Sequence, residues 1–329
     1  MEQYIPKGFS GAVSALWEGR PVFQKAYGYA DRPNRVRNKM DTKFPTASAG
    51  KAFVAAGIMR LTDEKRLSLD TPIGSVLDVD LENIDPAITV KQLLNHTSGI
   101  PDYFDESVME EYAELFADYP NYKIRSSRDL LPLFVHKPMM YPAGERFQYN
   151  NTGYVVLGLV IERITGMPFD AYLKEAVFAP LTMDATGYYA LDRLPSRCAN
   201  AYIWDERTNE YYTNIYSVDA KGTGAGGAFT TLPDIERFWH GLQAGKVVSA
   251  EAFALMTSPQ TGDKKYGYGF WLARESGTPY FQGSDPGVSF LSAFYPRHQA
   301  TVTVVSNLGQ DVWAMHADIC KALFQELPY

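Results

Sequence analysis

Apolar and polar positions alternate in different textures along the chain. Near the start, FSGAVSALWEGRPVFQKAYGYAD holds two apolar-rich runs about Glu18-Gly19, a pattern that predicts a β-hairpin turning at that pair. From about Ser48 to Lys65, Phe53, Val54, Ile58, Met59 and Leu61 fall at three-and-four spacing, which predicts a helix. GYVVLGLVIERITG predicts another, ending at Gly166 as its C-cap. Pro/Gly/Asn-rich stretches such as NHTSGIPDY and YPAGERFQYNNTG read as connections. From about Gly267 the texture turns to short β-rich runs, YGYGFWLA, TPYFQGSDPGVSFLSAFYP and QATVTVVSN, before a closing helix in DVWAMHADICKALFQEL.

Strands at both ends around a helical middle imply an α+β fold: one antiparallel sheet built from N- and C-terminal segments, flanked by helices, with a mainly helical region inserted. The expected division is residues 1–65 with 262–329 for the sheet unit and 66–261 for the helical unit, with a site between them. No internal repeat or low-complexity linker interrupts this plan.

Composition narrows the class without naming a chemistry. With 329 residues, 46% hydrophobic and 21% charged, the chain reads as a globular protein able to bury a large core. A net charge of -7 without a Lys/Arg stripe argues against a nucleic-acid partner. No apolar run is long enough for a membrane span, and MEQYIPKGFSG lacks the pattern of a secretory signal. Two cysteines, Cys198 and Cys320, suggest no disulfide framework or zinc site. The cytoplasm is therefore the expected compartment, although a longer exported precursor could contain the same stretch; the oligomeric state is left open.

The chemistry begins in FPTASAGKAFVAAGIMRL, where Ser48 and Lys51 stand three apart at a predicted helix start. Such residues share one helical face. A serine hydroxyl attacks poorly until its proton is removed, and a lysine kept from water has its pKa lowered enough to remove it. The alternative is a capping serine followed by a solvated lysine. Tyr149 and Asn151, in a turn leading into the second apolar helix, could likewise be a packed aromatic and an Asx-turn residue.

Taken together, PTASAGK, LLNHTSGIPDY, YPAGERFQYNNTGYVVLGLVIE, GAGGAFTT and SDPGVSF resemble the serine β-lactamase and penicillin-binding protein superfamily. The resemblance is nearer its class C-like branch of esterases, D-aminopeptidases and carboxypeptidases, and runs in order from about residue 10 to 307. It implies a β-lactamase-like fold and a serine hydrolase. Ser48 would be the acylated nucleophile, Lys51 its proton acceptor and Tyr149 a partner in the proton shuttle, while Asn151 would hold a substrate carbonyl or amide. The backbone N–H groups of Ser48 and Ser284 would form the oxyanion hole. His96, in the NHTSG turn, is expected to be a scaffold hydrogen-bonder.

The sequence also departs from that pattern. Where the family carries Lys-Thr-Gly or His-x-Gly, counting back from SDPG gives Phe281-Gln282-Gly283, so these three are expected along the substrate strand without the usual cation. Loss of that cation removes a contact to anionic ligands. Small neutral esters or D-amino-acid amides are thus expected as substrates ahead of carboxypeptidase or β-lactamase chemistry, with a catalytically retired ligand-binding protein as the alternative. Residues 102–118 carry seven acidic and no basic residues: either they line the cleft and repel carboxylates, or they form a solvated face remote from it.

Other motifs carry less. GTGAGG, Gly222 to Gly227, is not followed by a βαβ unit and reads as a backbone loop passing close to the cleft rather than a dinucleotide site. YGYGFW could flank a substrate or lie in the core. G-x-S-x-G and H-E-x-x-H are absent, and His96, His136, His240, His298 and His316 show no metal-ligand spacing. The expected partner is a small-molecule substrate, with no cofactor and no metal implied.

Overall fold

The computed structural model describes residues 2–263 and 265–324. The predicted hairpin forms as β1 (Gly11–Trp17) and β2 (Arg20–Tyr27), with Glu18 and Gly19 both at positive φ in its turn. β2 is the mostly exposed edge strand and carries Arg20, Pro21 and Lys25, side chains that discourage pairing with another chain. The predicted first helix is divided. Ala47–Gly50 is a 3-10 turn, and α1 (Lys51–Asp63) starts only at the lysine. Nearly every α1 side chain is buried, as expected of a central helix that is apolar all round.

The second predicted helix is α2 (Asn151–Thr165). The Asn150 side chain accepts from the Gly153 N–H at 2.8 Å, and Gly166 closes the helix at φ 73, the left-handed conformation that glycine adopts without steric cost. A small hairpin follows, β3 (Tyr202–Asp205) and β4 (Glu210–Thr213), and then α3 (Leu232–Gln243). The C-terminal strands are β5 (Trp271–Leu272), β6 (Pro279–Asp285), β7 (Val288–Tyr295) and β8 (Ala300–Ser306), followed by α4 (Val312–Phe324). Residues 325–327 of the predicted closing helix lie outside the described residues. Of YGYGFWLA only Trp271 and Leu272 are strand.

The main sheet has the order β2-β1-β8-β7-β6-β5, antiparallel throughout. N- and C-terminal segments therefore pair directly, as the α+β reading requires. Strand alternation supplies two cores. Phe290 and Phe294 on β7 face the large cluster that contains α1, α2 and α3, whereas Leu291, Ala293 and Tyr295 face Val312, Met315, Ile319 and Cys320 of α4. Among the described residues, no helix is long and apolar enough to cross a membrane.

Candidate active site

Ser48 owes its position to a sharp turn. Ala47, just before it, has φ 48, a left-handed conformation that costs a non-glycine residue about 1–3 kcal/mol and persists only where neighbours enforce it. Those neighbours are identifiable. The Ala47 carbonyl accepts from Gly227 N–H at 3.0 Å, and Thr46 N–H donates to the Ala228 carbonyl at 2.8 Å. Phe44–Pro45 also pairs with Phe229–Thr230. The glycine-rich segment thus does pass beside the predicted nucleophile: a Cβ on Gly226 would sit 2.5 Å from the Ala47 oxygen and 3.2 Å from Ser48 Cα.

Lys51 is only 2% exposed. Its Nζ lies 2.9 Å from Ser48 Oγ, 2.8 Å from Asn151 Oδ1 and 2.5 Å from the Ala225 carbonyl oxygen. An ammonium has three hydrogens, and all three have acceptors here. The Asn151 orientation is fixed by its other end, because Nδ2 donates toward the Phe104 carbonyl and Glu106 Oε1, both at 3.3 Å. Two of the three Lys51 partners are therefore pure acceptors. When the amine loses a proton, its two remaining hydrogens must stay on Asn151 and Ala225, which leaves the lone pair facing the Ser48 hydroxyl.

Burial makes that loss accessible. Desolvation brings the Lys51 pKa down to about 8, opposed by the negative charges of Glu106, Asp102 and Asp285. Tyr149 is hydrogen-bonded to the Ser48 side chain, and burial holds its phenol well above the usual tyrosine range. It stays protonated at neutral pH. The phenol is thus a neutral hydrogen-bonding partner of Ser48 at that pH.

The Tyr149 ring is held by the stacked Trp271 ring, with centroids 5.6 Å apart, and by His96 at 4.5 Å. His96 accepts the Asn150 N–H on Nδ1 at 3.1 Å and is kept neutral by burial, the scaffold role expected for it. Asp102 fixes the start of α2, accepting from the N–H groups of Asn151 and Thr152 at 2.7 and 3.1 Å. Burial pushes its carboxyl up to about 6.

Strand β6 closes the other side. A Cβ on Gly283 would lie 2.6 Å from Ser48 N and 2.3 Å from the Thr46 oxygen, so only glycine allows this close approach. Gln282, Gly283 and Ser284 line the cleft. Phe281 does not: it is buried at 1% exposure among Phe53, Phe238, Trp239 and Phe290. The expectation that it lies along the substrate is corrected. Phe281 shares the Gly283 face, but two residues further back along the strand that face meets the side of α1 rather than the nucleophile turn.

The cleft has a volume of about 1020 Å³. Part of the acidic segment does reach it, through Glu106, Glu110 and Glu111, joined by Asp219 and Asp285 from elsewhere. Burial pushes both of these aspartates up to about 7, with Lys51 opposing the shift of Asp285 and a hydrogen bond from Tyr112 opposing that of Asp219. Among the described residues, no Lys, Arg or His side chain lines the cleft. Sequence reading missed Asp219, which no motif marks, and the roles of Trp271 and Asp285, although both lie inside segments it singled out.

Comparison with known proteins places this arrangement in a class. The Beta-lactamase family model matches residues 3–319. The chain therefore belongs to the beta-lactamase family of serine hydrolases. A penicillin binding protein from Bacillus halodurans is similar along the whole chain: 37% identity, 98% of each chain covered and a TM-score of 0.92. Penicillin-binding protein 4* of Bacillus subtilis (strain 168) is 27% identical over 325 residues, covering 92% of this chain and 69% of that protein. A D-amino acid amidase from Ochrobactrum anthropi SV3 shares the fold at 23% identity, with a TM-score of 0.76 over 93% of this chain and 88% of that one.

Proposed function

We propose that the protein hydrolyses small neutral or amine-bearing esters and amides, D-amino-acid amides among them, through an acyl-enzyme on Ser48. The observation that carries this reading is the buried Lys51 amine, 2.9 Å from Ser48 Oγ, with its other two hydrogens committed elsewhere. Neutral Lys51 takes the Ser48 proton as Oγ bonds to the substrate carbonyl carbon. The resulting oxyanion is met by the backbone N–H groups of Ser48 and Ser284. Tyr149 relays a proton to the leaving group as its bond to carbon breaks, and water then attacks the acyl carbon and restores the serine.

Substrate charge is argued from the lining. Five carboxyl side chains and, among the described residues, no cationic one face the cleft, so a substrate carboxylate meets repulsion whereas an ammonium meets attraction. A second reading, covalent penicillin binding, is favoured by the name of the 37%-identical relative and opposed by that missing cation. A hydrolysis screen of neutral esters, D-amino-acid amides and β-lactams, run beside Ser48→Ala, separates the two. Serine-dependent turnover of esters or amides with β-lactams ignored supports the proposal. A long-lived penicillin adduct with no ester or amide turnover replaces it with the second reading.

A further inference from the structure

Large apolar side chains left in water are concentrated beside this cleft. Of the nine among the described residues, Trp204, Tyr211, Tyr212 and Tyr216 fall within thirteen positions. Trp204 is 45% and Tyr212 49% exposed, and both line the cleft that contains Ser48. Folding alone gains little from such rings, which keep much of their apolar area wet.

The hairpin that carries them is tied to the catalytic elements. Ala201, at its entrance, packs against Ala47 and Val288. A Cβ on Gly287, just after β6, would lie 2.8 Å from the Tyr202 oxygen, and Asn214 at the far end donates to the Pro286 carbonyl at 2.9 Å. Trp204 itself is braced: its ring meets Tyr211 edge to face at 4.8 Å, and the Arg32 guanidinium covers Tyr211 at 3.9 Å. The platform is thus fixed before any ligand arrives. Trp204 stands three residues beyond Ala201, about 10 Å along the strand from that contact.

We propose that Trp204 forms a subsite, at the far side of the cleft from the contact of Ala201 with the nucleophile turn, that stacks a planar aromatic group of the substrate. Within the esters and amides proposed above, the favoured substrates are then those whose acyl part ends in an aryl group. The assignment rests on the Ser48 acyl-enzyme reading for its position relative to the reacting bond. Cleft volume agrees, since 1020 Å³ lies at the upper end of ligand sites, about 300–1,000 Å³.

The test uses ethyl thioesters that share one non-aromatic leaving group: an acetyl ester, a plain alkyl ester and a phenyl-terminated ester of matched length, with thiol release followed colorimetrically. The phenyl-terminated ester should exceed the matched alkyl ester in kcat/KM by about tenfold, the scale of one aromatic pair. That excess should vanish in Trp204→Leu and persist in Trp204→Phe and in Tyr216→Ala. No excess, or one that survives Trp204→Leu, overturns the subsite. So does sedimentation showing that Trp204→Leu breaks an oligomer, because the patch would then be an interface between copies. If no thioester is turned over through Ser48, the acyl-enzyme reading fails by itself. The subsite is then judged by calorimetry of the phenyl-terminated amide on Ser48→Ala: binding weakened about tenfold by Trp204→Leu supports it, and equal binding overturns it.

Discussion

Changing pH across neutrality should switch the lysine, and the structure sets by how much. With its pKa brought down to about 8 from 10.5, Lys51 is free base in about one molecule in ten at pH 7 and about nine in ten at pH 9. An ordinary lysine at pH 7 would be free in only about one molecule in 3,000, so burial raises the active form about 300-fold, equivalent to about 3 kcal/mol. Acylation measured as kcat/KM on a neutral ester, with the Ser48→Ala background subtracted, should therefore rise about tenfold from pH 7 to 9 and then level. Glu106→Gln removes the largest charge opposing the shift, so the rise should move to lower pH. Stability must follow as well. The unfolded chain keeps this proton up to about pH 10.5 whereas the folded chain releases it near 8, so the Lys51 contribution to stability grows across that window. A rate that is flat from pH 6.5 to 9, or that rises only above pH 10, would refute the reasoning.

Other outcomes follow from single contacts. Tyr149→Phe deletes the phenol hydrogen bond to Ser48 while keeping the ring stacked on Trp271, and should lower kcat about 10²- to 10³-fold in steady-state assays. Gly226→Ala drives a methyl to 2.5 Å from the Ala47 oxygen; the nucleophile turn must shift, so fluorophosphonate labelling of Ser48 should slow more than the melting temperature falls. Asp285→Asn removes a carboxyl that burial holds near 7. Wild-type Asp285 favours the folded state below about pH 3.8 and loses that contribution as pH rises through about 7. The variant should therefore be more stable than wild type at pH 8, by on the order of 1–2 kcal/mol after allowance for partial exposure, and match it near pH 4 in thermal melts. It should also lower KM for carboxylate-bearing substrates.

Some of this was legible in the chain and some was not, for physical reasons. Hairpin, sheet plan and the Gly166 cap follow from local rules of alternation and left-handed backbone, so they could be read directly. The Ser48 and Lys51 spacing announced the pair, but the 3-10 turn at Ala47–Gly50 could not be read, because contacts with residues 226–228, distant in sequence, hold it. Phe281 shows the limit of counting within a motif: its number matched the substrate strand, yet its direction depends on which neighbour that part of β6 faces. Asp219 and the Ala225 carbonyl reach the site through loop paths that no periodicity encodes.

The central claim is that neutral Lys51 turns Ser48 into the attacking group. The most direct measurement is mass spectrometry of rapidly quenched protein after mixing with a neutral activated ester, followed by peptide mapping. The account predicts one acyl group, located on Ser48, formed at a rate that falls sharply in Lys51→Ala. Turnover of the ester with the label on another residue, or Ser48 acylated equally fast without the lysine, would contradict it.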